Sequence, residues 1–124
     1  KFAERFWVGI TTGYWTMLLF HTLYPTKCGI AALDAENLIV EFVEKPQHPR
    51  SDLANAGVYA VTSSAFHEMA DMRMFDLGFD VLPAFVGRMF GWVWSGYHRD
   101  IGSPEALRQA ESDAERLFGA RQGR

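Results

Sequence analysis

Residues 28–46 read CGIAALDAENLIVEFVEKP and consist of two short apolar runs separated by the four polar or small residues 34–37. Runs of this length and composition predict strands, and the residues between them favour a turn. The segment therefore predicts a β-hairpin. The second run is apolar on both faces until Glu41, which favours an interior strand, and Pro46 is expected to end it because proline has no N–H for a ladder.

Three further segments have the composition of strands. Residues 16–22 (TMLLFHT) and 56–61 (AGVYAV) are short, apolar and β-compatible. Residues 90–100 (FGWVWSGYHRD) are expected to return as a strand that is broken at Gly96.

Two helices are expected between these strands. One starts near Ala65 with Ser63 or Ser64 as its N-cap, because a short side-chain oxygen there can accept a backbone N–H of the first turn. The other covers about residues 77–88, where apolar side chains recur at helical spacing, and Pro83 marks its first turn or a kink.

A third helix has the clearest signals. Ser103 can cap it, Pro104 suits its first position, and Glu105 complements the positive end of the helix dipole. Gly119 can end it. Strands that alternate with helices predict an α/β fold with a mixed sheet. One face of the third helix is apolar and consists of Leu107, Ala110, Ala114, Leu117 and Phe118.

The composition fits one small globular domain. The 124 residues carry 12 basic and 15 acidic side chains, and the net charge of -3 predicts no attraction to nucleic acid. No apolar run reaches the ~20 residues that cross a bilayer, so we expect no membrane contact. A single cysteine fits a reducing compartment, and we expect a cytoplasmic protein. Cys28 is alone, which excludes an internal disulfide and favours a small core residue.

Glu44 and Lys45, at the end of the hairpin, form the first candidate site. Ligands of open α/β sheets bind at strand ends, where a carboxylate can accept two sugar hydroxyls and an ammonium can meet a phosphate. Alternation directs the two side chains apart, so the chain must turn at Pro46 for both to serve one ligand. A solvated acid–base pair explains the same residues.

Asp100 forms the second candidate site, between a strand and a capped helix. Such an acid suits Mg²⁺, which takes one or two carboxylates and leaves its other positions to phosphate and water. Alternatively, Asp100 only complements the helix N-terminus. His98 points to the same face of the strand as Asp100, but a transition-metal site there lacks a third ligand.

Asn55 and Gly57 form the third candidate site, because asparagine both donates and accepts hydrogen bonds and glycine allows a ligand to approach closely. A loop-to-strand junction without a ligand explains the same residues. The chain contains neither a Walker phosphate loop nor a G-x-G-x-x-G pattern, and no nucleophile–base arrangement is suggested.

Five strings follow one another along the chain: GIAALD (29–34), FVEKP (42–46), NAGVY (55–59), DVLP (80–83) and GYHRDIGSPE (96–105). Their order resembles the C-terminal half of sugar-phosphate nucleotidyltransferases, a family that includes mannose-1-phosphate guanylyltransferases and glucose-1-phosphate thymidylyltransferases. The resemblance covers most of the chain and implies a Rossmann-like fold, with a mixed sheet flanked by helices.

The resemblance also implies a role for each candidate residue. The residue matching Glu44 holds sugar hydroxyls, the one matching Lys45 meets the sugar phosphate, and the one matching Asp100 binds Mg²⁺ with an aspartate of the N-terminal half. His98 stands where relatives often carry another residue. The implied sugar pocket also includes the backbone near Gly29, Asn55 and Gly57.

The implied reaction transfers a nucleotidyl group from a nucleoside triphosphate to a sugar 1-phosphate and releases pyrophosphate, and it needs no protein nucleophile. Relatives open with a glycine-rich loop that holds the triphosphate, and the aromatic-rich residues 1–15 (KFAERFWVGITTGYW) do not match it. We therefore expect one partial domain, with the sugar-phosphate and metal half at 16–115 and unassigned ends at 1–15 and 119–124. It is expected to be inactive alone and to need a complementing N-terminal half. The alternative is a non-catalytic sugar-phosphate-binding or interaction module, for example a homodimer.

Overall fold

A mixed sheet of five strands lies at the centre of the computed structural model, which describes residues 15–73 and 75–119. In chain order its strands are β1 (Trp15–His21), β2 (Gly29–Leu33), β3 (Ile39–Glu44), β4 (Leu53–Val61) and β5 (Met89–Val93). Their spatial order is β3-β2-β4-β1-β5, in which β1 and β5 are parallel and the other neighbours are antiparallel. The predicted α/β fold with a mixed sheet is confirmed.

Helical segments connect the strands and follow the last one. A 3₁₀ turn (Pro25–Lys27) precedes β2, and α1 (Ser63–Asp71) follows β4. A π-helical turn (Leu77–Val81) leads into the single-turn α2 (Leu82–Ala84), and α3 (Pro104–Phe118) is the last element of the described residues.

The segment predicted as one helix over residues 77–88 is thus shorter and irregular. Gly87 has a φ of 83°, in the left-handed region that ends a helix, and it donates its N–H to the carbonyl of Ile39 at 2.9 Å. The chain therefore leaves the helical path to pair with β3.

One face of the sheet carries the core. Along β1, the buried residues Trp15, Met17 and Leu19 alternate with half-buried ones, as expected when one face of a strand is packed. Phe85 lies against Trp15 with ring centroids 4.8 Å apart. Each such side chain contributes about 1.5–3 kcal/mol by burial. The other buried members of this cluster are Ala31, Ile39, Phe42, Ala65, Val81, Leu82 and Met89.

The predicted hairpin is present, but its second strand does not lie inside the sheet. In the turn, Asp34 Oδ1 accepts the backbone N–H of Leu38 at 2.8 Å. Within residues 15–73 and 75–119, β3 is an outer strand of the sheet and exposes about half of Val40 and 41% of Val43, so the prediction of an interior strand is wrong. Leu38, just before β3, forms an isolated antiparallel bridge with Phe90 of β5, and Gly91 donates its N–H to the carbonyl of Asn37 at 2.8 Å.

Two predicted boundaries also shift by a few residues. The N-cap of α1 is Thr62, whose hydroxyl accepts the N–H of Ala65 at 3.2 Å, rather than Ser63 or Ser64. β5 ends at Val93, three residues before the predicted break at Gly96.

The expected start of the third helix is confirmed. Ser103 Oγ accepts the N–H of Ala106 at 3.1 Å, and Pro104 opens α3. The apolar face is not buried, however: Leu107, Leu117 and Phe118 are 45%, 44% and 62% exposed.

The predictions for residues 1–14 and for the end after residue 119 lie outside the described residues. Within residues 15–73 and 75–119, no helix combines the length and the apolar character that a membrane crossing requires.

Candidate functional site

A cavity of about 460 Å³ opens where the end of β3 and the start of β2 meet β4 and the loop after β5. Five of the six predicted site residues line it: Gly29, Glu44, Asn55, Gly57 and Asp100. Cys28 also lies on its wall and is only partly buried, so the prediction of a core cysteine is wrong. The fold thus brings residues from distant parts of the sequence around one space, and their roles remain predictions.

The carboxylate of Glu44 lies between two glycines. A Cβ added to Gly29 would be 2.5 Å from Glu44 Oε2, and one added to Gly78 would be 2.6 Å from the same atom. Only glycine therefore leaves room for the carboxylate in its present position. Sequence analysis missed Gly78, whose only signal is a glycine at the start of a helical pattern.

Glu44 is also electrostatically distinct. Partial burial raises the pKa of its carboxyl group, the neighbouring Lys45 ammonium opposes the rise, and the Asp76 carboxylate adds to it. The net direction is upward, so this carboxylate holds a proton more tightly than an exposed glutamate does.

The turn that was expected at Pro46 lies at Lys45 instead, where φ is 49°. The Lys45 N–H donates to the carbonyl of Cys28 at 2.9 Å, which fixes this turn beside β2. Its side chain is exposed and does not line the cavity. Left-handed non-glycine residues are uncommon and cluster at functional sites.

A bulge in β4 shapes the middle of the cavity. Met17 is opposite Tyr59 and Leu19 is opposite Asn55, so β4 has two more residues than β1 between these pairs. Gly57 lies within the bulge with a φ of 73°, which suits glycine, and donates its N–H to Asn55 Oδ1 at 2.9 Å.

The amide group of Asn55 is held by its own strand. Its Nδ2 donates to the Tyr59 hydroxyl at 2.6 Å. Burial raises the pKa of Tyr59, the hydrogen bond from Asn55 lowers it, and the nearby charge of Glu44 raises it further. Asn55 is therefore positioned with its oxygen still able to accept a second hydrogen bond.

Asp100 lies in the loop that joins β5 to α3. Its Oδ1 accepts the N–H of Gly102 at 2.9 Å, so it stabilises the turn before the helix, whose cap is Ser103. The other oxygen makes no hydrogen bond within the described residues. One carboxylate oxygen thus remains for a ligand in the cavity.

His98 lies on the wall of the same cavity. Its ring stacks on Phe20 with centroids 4.2 Å apart, and its Nδ1 is buried without a hydrogen-bond partner in the described part of the chain. Within residues 15–73 and 75–119, no group of three or more histidine, cysteine or carboxylate side chains could hold a metal ion by itself. A metal at Asp100 would therefore need other ligands.

Behind the loop, the buried carboxylate of Asp113 on α3 collects several donors. Its Oδ2 accepts the Tyr97 hydroxyl at 2.9 Å and Arg99 Nε at 3.0 Å. Its Oδ1 accepts from Gln109 at 3.1 Å and Arg116 at 3.2 Å. The hydrogen bond from Gln109 and those from Tyr97 and Arg99 lower the pKa of Asp113.

Sequence analysis also missed Asp113. It lies three residues after Ala110 and four before Leu117, on the apolar face of the helix. An acidic residue beside the apolar positions of a helix indicates a polar partner inside the protein, and the sequence alone could have shown this.

Comparisons with known proteins give one family. The family model described as nucleotidyl transferase matches residues 11–116. A glucose-1-phosphate adenylyltransferase of Lachnospira eligens is 32% identical over 95 residues, and one of Bacillus cereus (strain ATCC 14579) is 35% identical over 97 residues. Each alignment covers 71% of this chain, but only 22% and 26% of the respective relatives.

A solved structure shows the same fold. The protein, assigned as a glucose-1-phosphate thymidylyltransferase from Bacillus anthracis and determined in complex with sucrose, is 23% identical and superposes with a TM-score of 0.73. The match covers 91% of this chain and 47% of that one. The chain therefore spans about half the length of this solved relative and about a quarter of the curated ones.

Proposed function

Because the chain belongs to the nucleotidyl transferase family, we propose that it supplies the sugar-phosphate-binding and metal-binding part of a sugar-1-phosphate nucleotidyltransferase. Such an enzyme transfers a nucleotidyl group from a nucleoside triphosphate to a sugar 1-phosphate and releases pyrophosphate. The observation that carries the proposal is that Glu44 and Asp100 line the same cavity. The carboxylate of Glu44 lies between two glycines, and one oxygen of Asp100 is not used in a hydrogen bond within the described residues.

The sugar is expected to bind at the Glu44 end. A carboxylate can accept hydrogen bonds from two neighbouring hydroxyls, and Gly29 leaves room for the Glu44 carboxylate at this end of the cavity. Asn55 and Gly57 would line the same pocket, and the Lys45 ammonium, on a flexible stem beside the cavity, would meet the phosphate.

Asp100 is the proposed ligand of Mg²⁺. Its free oxygen is a hard donor, and Mg²⁺ commonly takes one or two carboxylates with phosphate oxygens and water. Asp100 fits such a site as one ligand, with the others coming from the substrates, water and a further carboxylate. When bound, the ion would neutralise charge on the reacting phosphates.

The chemistry then requires positioning rather than a protein nucleophile. An oxygen of the sugar phosphate attacks the α-phosphorus of the triphosphate, the bond from that phosphorus to the bridging oxygen breaks, and pyrophosphate leaves with its electron pair. The chain would contribute by holding the attacking phosphate in line and by fixing the sugar through Glu44.

The remaining parts of the proposal concern partners and location. Residues 1–124 contain no glycine-rich phosphate loop, so we infer that the triphosphate is held by a complementing nucleotide-binding half rather than by these residues. The proposed setting is the cytoplasm, without nucleic acid or membrane partners, and a homodimer is the alternative arrangement.

Titration of the purified 124-residue chain with glucose 1-phosphate and mannose 1-phosphate, followed by nuclear magnetic resonance, tests the proposal. We expect the wild type to bind these sugar phosphates. Glu44→Ala should weaken the affinity about tenfold, because at least one charge-assisted hydrogen bond is lost. The matched variant Glu41→Ala, on the same strand but away from this cavity, should bind as the wild type does.

Pyrophosphate release is the second measurement. With Mg²⁺ and a panel of nucleoside triphosphates, the chain alone should release none, because it holds only one substrate. Failure to bind any sugar 1-phosphate would contradict the proposal. Turnover by the chain alone would contradict the inference that a separate nucleotide-binding half is needed.

A further inference from the structure

We propose that Arg99 binds the phosphate group of the ligand in this cavity, and that Asp113 is the positioning residue that holds its guanidinium for this contact. The inference rests on the proposed function and adds to it a cation that neither the motif strings nor the resemblance assigned. Lys45 was the expected phosphate contact, yet Lys45 is not among the residues that line the cavity, whereas Arg99 is.

The first observation is that one edge of the Arg99 guanidinium is anchored. Nε donates to Asp113 Oδ2 at 3.0 Å and to the Tyr97 hydroxyl at 3.1 Å, and Nη2 lies 2.9 Å from the same carboxylate oxygen. Asp113 is only 4% exposed, so this anchor is shielded from water. A guanidinium fixed in this way loses little freedom when it binds a ligand.

The second observation is that the other end is free within the described part of the chain. Nη1 makes no hydrogen bond there, although it carries two N–H donors. The Arg99 side chain is 37% exposed, and Arg99 is one of the residues that line the cavity, next to Asp100. The proposal is that its unused donors meet a ligand there, close to the proposed Mg²⁺ ligand.

The third observation is the local charge. Arg99 and Arg116 both contact the single carboxylate of Asp113, so the group of three retains one positive charge. Asp113 therefore does not cancel the charge of both arginines. A guanidinium with this excess charge is suited to phosphate oxygens, which it can meet with two parallel hydrogen bonds.

Lys27 is the other cation on the wall of this cavity. Its ammonium lies 5.4 Å from the centre of the Tyr24 ring and has no ion pair within the described residues. An ammonium on a flexible stem must be ordered when a ligand binds, whereas Arg99 is already ordered by two partners. The geometry thus favours Arg99 as the principal phosphate contact.

The test compares a ligand that has the phosphate with one that lacks it. Arg99→Gln should weaken binding of glucose 1-phosphate about tenfold or more while leaving the weak binding of glucose unchanged. Arg99→Lys keeps the positive charge but loses the planar guanidinium, so its affinity for glucose 1-phosphate should lie between those of the wild type and Arg99→Gln. The matched control is Arg108→Gln, an exposed arginine of α3 that does not line the cavity and should leave both affinities unchanged.

The role of Asp113 is tested by a double-mutant cycle. Asp113→Asn should weaken glucose 1-phosphate binding in the wild-type background. It should have no further effect in the Arg99→Gln background, because the guanidinium that Asp113 holds is then absent. If Asp113→Asn does not fold, Tyr97→Phe, which removes one hydroxyl from the same anchor, replaces it in the cycle.

The possible failures can be told apart. If the wild type binds neither glucose 1-phosphate nor mannose 1-phosphate, the proposed function fails and this inference with it. If the wild type binds and Arg99→Gln binds equally well, or loses glucose and glucose 1-phosphate in the same proportion, only the inference is overturned.

Discussion

At the residue scale, the surroundings of Glu44 are the most constrained in the cavity. The two glycines beside its carboxylate come from different elements, β2 and the π-helical turn. A Cβ at either position would come within 2.6 Å of the same carboxylate oxygen, so the carboxylate occupies a slot that only glycine leaves open. Substitutions that narrow the slot should therefore act on ligand binding before they act on folding.

Gly78→Ala tests this slot. The new methyl group would lie 2.6 Å from Glu44 Oε2 and 2.9 Å from its carboxyl carbon, so the side chain must move. We expect glucose 1-phosphate affinity to fall several-fold, with an unfolding free energy changed by about 1 kcal/mol or less. Gly119→Ala is the control, because a Cβ there has no neighbour within 4 Å. Affinity equal to that of the wild type would show that the slot is wide enough.

The pH dependence of stability follows from the raised pKa of Glu44. The folded chain binds this proton more tightly than the unfolded chain, so ionised Glu44 opposes folding at neutral pH, and the cost disappears below the ordinary value of 4.5. Glu44→Gln should therefore be more stable than the wild type near neutral pH. The difference in urea midpoint should shrink as the pH falls to 4.5. A difference that does not change with pH would contradict the raised pKa.

Sequence analysis identified the cavity residues that lie in recognisable local patterns. Glu44 ends an apolar run, and Asp100 precedes a capped helix, so each could be found from its neighbours in the chain. Gly78 could not, because its meaning depends on a carboxylate from a strand more than thirty residues earlier. The position of the Lys45 side chain was missed because a left-handed lysine has no signal in the sequence.

At the element scale, junctions between strands and helices position the cavity residues. The bulge of β4 brings Gly57 to the wall, and the turn before α3 brings Asp100 there. The five strands, α1 and α3 were predicted with the correct type, whereas the segment 77–88 is irregular. Some boundaries also shifted, because several short polar residues in a row can each cap a helix. Residues 62–64 (TSS) are an example, and only the backbone direction at the end of β4 selects Thr62.

Thr62→Ala should therefore cost about 1 kcal/mol of folding stability, since it removes the oxygen that accepts the N–H of Ala65. Ser63→Ala should change stability by less than about 0.5 kcal/mol, because its side chain is exposed and makes no cap. Urea unfolding of the two variants and the wild type provides the comparison. An equal loss in both variants would show that the cap is shared.

At the scale of the whole molecule, the described elements differ in how they are held. The sheet and the segment from Leu77 to Phe85 share one apolar core, which includes Met17, Ile39 and Leu82. α3 is attached differently: Asp113 is its only buried residue, and its contacts with Tyr97 and Arg99 are polar. A helix whose large apolar side chains are about half exposed gains little free energy from burial.

This difference predicts an order of local stability that hydrogen exchange can measure. Segments with few buried apolar contacts open at lower free energy than core strands, so the amides of α3 should exchange well before those of β1 and β4. Asp113→Asn should speed exchange in α3 further and leave β1 unchanged, because within residues 15–73 and 75–119 the contacts of Asp113 are the main attachment of this helix. If α3 were protected as strongly as β1, the exposed face formed by Leu107, Leu117 and Phe118 would have to be covered in solution.

The same measurement at several chain concentrations would then show what covers this face. Protection by a second copy of the chain depends on concentration, whereas protection within one chain does not.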